Sequence, residues 1–120
     1  MNASDEYILL ETVIKEMQET KARDITILDL KKIETAICKY FVICSGNSNT
    51  HVSSISDNIR KSVSKKIKEK PWGTEGKEAC EWILMDYSNI VIHIFQDEIR
   101  TFYKLEDLWG DAEIKNVKNS

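Results

Sequence analysis

The sequence predicts an α/β (α+β) fold in which helices flank a mixed β-sheet. Residues 24–30, DITILDL, and 40–44, YFVIC, are short apolar runs rich in β-branched side chains, a pattern typical of buried strands. Residues 52–67 repeat apolar side chains every three or four positions, as an amphipathic helix does. Two further apolar runs, joined by Ser88 and Asn89, predict a hairpin. Together these segments give the order α-β-β-α-(β)-β-β-α.

The chain of 120 residues is long enough for one hydrophobic core. We therefore expect a single domain, residues 1–113, followed by a polar tail, residues 114–120. No apolar run approaches the ~18 residues that a membrane span needs, and no basic segment precedes an apolar one near the start, as in a secretory signal. The sequence thus predicts a cytoplasmic protein without membrane contact. Its three cysteines form no CxxC pair and are expected to be buried, reduced thiols.

The first helix is predicted over residues 5–21, with Ser4 or Asp5 as its N-cap. Its apolar stripe consists of Leu9, Val13, Ile14 and Met17. The strand of residues 24–30 follows, and a tight antiparallel link leads to the strand of residues 40–44. The polar run SGNSNT then marks a turn, where Ser48 or Asn49 can cap the next helix.

The second helix is predicted to run to about Lys70 and to be stopped by Pro71. The apolar stripe that packs it on the sheet consists of Val52, Ile55, Ile59, Val63 and Ile67. A short edge strand is expected after Gly73. The basic side chains at residues 60–70 are interpreted as the solvated face of this helix. Contact with RNA is the alternative, although a net charge of -3 makes bare nucleic acid an unfavoured main partner.

The hairpin at residues 82–95 has two different faces if Tyr87 pairs with Ile90, because directly paired residues of neighbouring strands share a face. One face is aliphatic and is predicted to be core: Ile83, Met85, Tyr87, Ile90, Ile92 and Ile94. The other, which we call the mixed face, consists of Trp82, Leu84, Asp86, Val91, His93 and Phe95. The mixed face is apolar enough to need a cover and too polar for an ordinary core. We therefore expect another macromolecule to cover it.

The C-terminal segment predicts one further helix. Ile99, Phe102 and Tyr103 have helical spacing, Leu105, Leu108 and Trp109 continue the stripe, and Gly110 ends it. The residues after Glu113 are expected to have no regular structure.

Two patterns in the sequence resemble parts of catalytic sites. A Gly-Ser turn at a helix start resembles the phosphate-binding turn of nucleotidyltransferases, but these enzymes also need carboxylates converging on Mg²⁺. The strand after that helix offers only Asp86, and Asp24 and Asp29 point to opposite faces of a regular strand. An Asp86–His93 general-base dyad remains the enzymatic alternative, next to a purely structural hydrogen bond between the two. No metal site, cofactor or enzymatic activity is predicted.

Six segments, in order, resemble the ribosome silencing factor family (RsfS, also called Iojap or YbeB). They are DITILDL, YFVICSGNSNTHV, ISDNI, PWGTEG, EWILMDYSNIVIHIF and IRTFYKLEDLWGDA, and the match as a whole covers the chain from about residue 5 to residue 113. The resemblance implies a nucleotidyltransferase-like fold without catalytic carboxylates. It also implies a non-enzymatic protein that binds the large ribosomal subunit through its protein fourteen, a small basic β-barrel protein, and obstructs joining of the small subunit when nutrients are scarce. Family members are often homodimers when free, and in the ribosome-bound state the basic residues near Lys65 can lie near ribosomal RNA.

The resemblance also implies a partner-binding surface around the tryptophan of an E/D-W motif. Carried over position by position, that surface comprises Trp82, Asp86, Tyr103 and Leu105, with Glu75, His93, Arg100 and Glu106 at other recurrent positions. One departure is the hairpin turn, where Ser88-Asn89 replaces the Gly-Asp that the family often has.

Overall fold

In the computed structural model, which describes residues 2–118, a six-stranded mixed sheet carries helices on both faces. This confirms the predicted fold class. The elements are α1 (Ala3–Glu19), β1 (Arg23–Asp29), β2 (Tyr40–Gly46), α2 (Asn49–Ile67), β3 (Gly73–Glu75), β4 (Trp82–Asp86), β5 (Ile90–Gln96), α3 (Asp97–Tyr103), α4 (Leu105–Leu108) and β6 (Glu113–Asn116).

The strands lie in the order β3-β4-β5-β2-β1-β6. Only β2 and β5 pair in parallel, and the crossover between them contains α2; all other neighbours among the described strands are antiparallel. The predicted antiparallel link between β1 and β2 and the predicted edge strand β3 are both confirmed. Because β2 lies inside the sheet and is covered on both faces, residues 41–46 are all buried.

One layer consists of α1 and α2, which pack on the aliphatic face of the hairpin. The predicted stripes of both helices pack there: Leu9, Val13 and Met17 from α1 and Val52, Ile55, Ile59 and Val63 from α2 are buried, and Ile14 and Ile67 are partly buried. Within residues 2–118, neither helix nor any other is long and apolar enough to cross a membrane.

The helix ends differ in part from the prediction. Asn2 caps α1 by accepting a hydrogen bond from the Asp5 backbone N–H at 2.8 Å, so the prediction of Ser4 or Asp5 is wrong: both lie inside the first turn. Ser48 caps α2 as predicted. The prediction that α2 runs to about Lys70 and is stopped by Pro71 is also wrong. Lys68 already adopts a left-handed conformation (φ 59°) and terminates the helix at Ile67.

The hairpin register is as predicted. Trp82 pairs with Phe95 and Met85 with Ile92, and the Tyr87 N–H donates to the Ile90 carbonyl at 2.9 Å. All six side chains of the predicted core face are buried. Ser88 adopts φ 74°, which the tight two-residue loop requires.

The mixed face is covered by residues 97–112, which we call the covering arm. The predicted single helix is here two short ones, because Lys104 adopts a left-handed conformation (φ 49°) between α3 and α4. The predicted apolar stripe is therefore wrong in part: Leu105 is buried, but Phe102 and Leu108 are exposed.

The prediction that residues after Glu113 lack regular structure is also wrong. Residues 113–116 form β6, which pairs antiparallel with β1 at the edge of the sheet. The Val117 N–H then donates to the Ile25 carbonyl at 2.8 Å. Residues 119 and 120 of the predicted tail lie outside the described residues.

Candidate functional site

The mixed face is only partly open. Val91, His93 and Phe95 are buried beneath the covering arm, so the expectation that another macromolecule covers the whole face is wrong for the β5 side of the hairpin. On the β4 side, Trp82, Leu84 and Asp86 remain half-buried. The part of the face that a partner can reach is therefore the β4 edge and the outer side of the arm.

Trp82 is fixed on three sides at the start of β4. Its ring stacks on Phe95, with centroids 4.7 Å apart, and contacts Tyr103 at 5.0 Å. Its indole Nε1–H donates to Nδ1 of His93 at 3.1 Å. Because the hydrogen bond uses the polar atom of the indole internally, the half-buried ring presents mainly apolar surface outwards.

His93 is a neutral acceptor. Burial among aromatic and aliphatic side chains lowers the pKa of its imidazole to about 4, since desolvation disfavours the charged form. An indole can only donate, so the Nδ1 that accepts from Trp82 carries no proton and the neutral ring carries its proton on Nε2. That Nε2 atom is buried and has no hydrogen-bond partner among the described protein atoms.

Asp86 is used elsewhere, at the far end of β4. Its Oδ1 accepts a hydrogen bond from the Ser88 backbone N–H at 2.7 Å, which closes the hairpin turn. The predicted pairing of Asp86 with His93, as a general-base dyad or as a structural hydrogen bond, is therefore wrong: each has its own separate partner.

The exposed part of the site is a cluster of three rings that we call the aromatic patch: Trp82, Phe102 and Tyr103. The Phe102 and Tyr103 rings lie 5.2 Å apart, and the side chains are 78% and 50% exposed. Leu108, on the same arm, is 74% exposed. Sequence reasoning missed Phe102 and Leu108 as exposed residues because it placed them on the buried stripe of one continuous helix.

The remaining predicted site residues fall into two groups. Leu105 and Arg100 point into the protein, and Glu106 is half-buried beside Arg100, with 3.4 Å between Oε1 and Nε. Glu75 is exposed on β3, where it pairs with Leu84 of the mixed face. The structure thus brings Trp82 and Tyr103 together at the surface, whereas Asp86 lies at the other end of β4.

Two other features of the described residues bear on function. The basic side chains at residues 60–70 are exposed along the end of α2 and beyond it, on the opposite side of the sheet from the aromatic patch. Residues 2–118 contain no group of three His, Cys, Asp or Glu side chains placed to hold a metal ion.

Comparison with known proteins links this geometry to a family. A family model described as "Ribosomal silencing factor during starvation" matches residues 2–120. The chain is 35% identical over 104 residues to ribosomal silencing factor RsfS of Halalkalibacterium halodurans, covering 87% of each chain. It is 33% identical over 110 residues to the protein of the same name in Bacillus subtilis, covering 91% of each. A crystal structure of a Chromobacterium violaceum protein matches with a TM-score of 0.81 and 26% identity over 92% of this chain and 88% of that one.

Proposed function

This chain belongs to the ribosomal silencing factor family, and from that premise we propose that it represses translation by occupying a ribosomal surface. The proposed partner is the large ribosomal subunit, contacted through its protein fourteen at the face that meets the small subunit. Bound there, the protein would stand in the way of subunit joining under nutrient limitation. No bond is made or broken in this role.

The observation that carries the proposal is the exposed aromatic patch. Monomeric proteins rarely leave several large apolar side chains exposed together, and aromatic side chains dominate the energetics of protein interfaces. Here Phe102 is 78% exposed beside Tyr103 and the half-buried Trp82. Trp82 and Tyr103 are also held by ring contacts, so little side-chain freedom is lost when a partner binds them.

The charge around the patch favours a basic partner. The covering arm carries five carboxylates, Asp97, Glu98, Glu106, Asp107 and Asp111, against two basic side chains, Arg100 and Lys104. Complementary charge accelerates association and suppresses wrong partners. A small basic β-barrel protein has the complementary sign, whereas an RNA backbone would be repelled from this side.

The size of the protein suits a steric mechanism. Its principal extents are 34 × 34 × 28 Å, so a copy bound at the subunit interface would occupy the volume of one small domain between the two ribosomal subunits. Obstruction of this kind requires affinity and bulk, and it needs none of the metal ligands or paired carboxylates that nucleotide transfer requires.

Sedimentation of purified subunits tests the proposal directly. With the protein present, we expect fewer joined ribosomes and co-sedimentation with the large subunit alone. Trp82→Ala should stay folded and weaken large-subunit binding by more than about 30-fold, the effect of losing ~2 kcal/mol at a central aromatic contact. Trp72→Ala is the matched control, because Trp72 is 79% exposed before β3 and belongs to no aromatic contact of the patch. Unchanged joining, or equal binding by both variants, would contradict the proposal.

Three further properties follow from the same family premise. We propose that the protein is cytoplasmic, that it is a homodimer when free, and that the basic residues at 60–70 make a peripheral contact with ribosomal RNA. The support for the last is a row of exposed lysines on the side away from the patch. Charge reversal of Lys65 and Lys66 should then flatten the salt dependence of large-subunit binding without abolishing it.

A further inference from the structure

We propose that Arg100 and Glu106 are positioning residues, which clamp the bend of the covering arm and so hold Tyr103 against Trp82. This inference rests on the proposed function in one respect, namely that the aromatic patch is the docking surface. It differs from the role that family resemblance implies, since it makes both residues internal supports and not partner contacts.

The bend at Lys104 requires support. A left-handed backbone is unfavourable at a residue other than glycine, and such conformations persist where the surrounding structure imposes them. At Lys104 the chain leaves α3, which carries Phe102 and Tyr103, and enters α4, whose Leu105 is buried in the core between the arm and the mixed face. With only seven and four residues, the two helices are too short to be stable by themselves.

Arg100 ties this bend to the sheet. Its Nη1 donates to the Asp24 carbonyl at 2.6 Å and to Ser45 Oγ at 3.0 Å, and its Nη2 donates to Thr26 Oγ1 at 3.1 Å. The acceptor carbonyl of Asp24 is available because β1 has a register shift between Arg23 and Thr26, where Asp24 itself is left-handed (φ 50°). One guanidinium thus joins the irregular part of β1 to β2 and α3.

Glu106 completes the clamp from the other side of the bend. Its Oε1 lies 3.4 Å from Arg100 Nε, so an ion pair connects the last turn of α3 to the first turn of α4. The contact lacks hydrogen-bond alignment, since the same buried oxygen accepts no hydrogen bond among the described atoms. Limited exposure of the two side chains, 11% and 28%, reduces the screening that weakens surface pairs.

Arg100 is not a main contact for a partner, because most of its hydrogen-bond donors are used within this chain. A guanidinium has five N–H groups. Three donate to atoms of this chain, which leaves one Nη2–H and the Nε–H beside Glu106, on a side chain that is only 11% exposed. Arg100 therefore acts on the docking surface through the position of the arm.

The test uses free protein first. In Arg100→Gln, we expect amide exchange over residues 100–108 to accelerate by about tenfold, equivalent to ~1.4 kcal/mol. The nuclear Overhauser effects between the Trp82 and Tyr103 rings should disappear, while exchange in α2 should stay unchanged. The matched control is Arg23→Gln, which removes an exposed ion pair to Asp97 of the same helix (3.1 Å) and should change neither readout.

Two results would overturn the clamp. One is an Arg100→Gln protein with wild-type exchange and intact ring contacts, and the other is equal loosening of the arm by both arginine variants. If Arg100→Gln unfolds globally, Glu106→Gln is the deciding variant, because it leaves the hydrogen bonds of Arg100 to β1 and β2 in place. Faster exchange confined to the arm of Glu106→Gln would support the clamp. Unchanged exchange in the arm would overturn it.

Binding to purified large subunits then separates this inference from the proposed function. Arg100→Gln should bind about tenfold more weakly than Arg23→Gln. If wild-type protein fails to bind while the arm loosens as expected, the proposed function is wrong and the clamp stands. If Trp82→Ala loses binding but Arg100→Gln keeps both its ring contacts and its affinity, the clamp is wrong and the proposed function stands.

Discussion

Acidification should destabilise the fold through His93. Burial lowers the pKa of its imidazole from an ordinary 6.5 to about 4, whereas in the unfolded chain the ordinary value returns. Between these two values the unfolded chain therefore binds one more proton than the folded protein. The free energy of unfolding is then at its full value above pH 6.5 and falls as the pH drops through this window.

The size of the effect follows from the shift. Inside the window each pH unit removes up to about 1.4 kcal/mol, so the contribution of His93 falls by about 2 kcal/mol between about pH 7.5 and about pH 5. Solvent screening does not reduce this contribution, because His93 is only 4% exposed. Protonation of Nδ1 also removes the acceptor of the Trp82 N–H, so the anchor loses its hydrogen bond in the same reaction.

Urea unfolding of the wild type and of His93→Gln, followed by circular dichroism at several pH values, isolates this contribution. Glutamine does not titrate and can still accept from the indole through its side-chain oxygen. Carboxylates contribute equally to both proteins, so the difference between the two curves reports the imidazole alone. Wild type should lose about 2 kcal/mol more than the variant at about pH 5. Parallel pH dependence in the two proteins would refute the reasoning, since it would mean that His93 is not a buried neutral group.

Two other perturbations have equally definite outcomes. Gly76→Ala should destabilise the fold by more than about 2 kcal/mol in urea unfolding, because Gly76 has φ 89° and a Cβ there would lie 1.9 Å from the Trp82 carbonyl oxygen. Gly73→Ala, with open space around it, should be close to neutral, and equal effects of the two would contradict this. In native protein near neutral pH, iodoacetamide should alkylate Cys80 first, since burial keeps Cys44 inaccessible and raises the pKa of its thiol to about 12. Early modification of Cys44, detected by peptide mass spectrometry, would show that the core opens.

The hairpin shows what the sequence can predict. Aliphatic side chains occupy every second position on both sides of Ser88 and Asn89, and only one register puts all of them on the same face. Burial of that face therefore determines the pairing, and the pairing determines that Trp82 lies opposite Phe95. The stripe of α2 was predictable for the same reason, because its period matches the helix.

Three of the errors, which concern β6, the covering arm and His93, share a physical cause, namely that each depends on contacts between distant parts of the chain. The residues of β6 are exposed and, apart from Ile114, polar, and they form a strand only because β1 offers a free edge. The left-handed Lys104 has no local signature, because its support comes from Arg100 and from β1. The hydrogen-bond partner of His93 could not be predicted from the sequence either, since Asp86 and Trp82 both lie within reach on the same face. Only the packing of the folded chain determines that the partner is the Trp82 indole.

The covering arm meets two requirements that oppose each other. The mixed face must be covered, because Phe95 and His93 would otherwise expose an apolar surface at the centre of the sheet. Yet Trp82, at the edge of the same face, must stay accessible if a partner is to bind it. Two short helices, anchored by Leu105 and Arg100, cover the centre and leave the edge free, but they bury little of their own surface. The arm is therefore the part of the described chain that we expect to open most easily, and it is also the part that carries two of the three rings of the patch. Any partner that binds those rings must favour the ordered arm, so changes that loosen the arm should weaken binding even where they touch no partner atom.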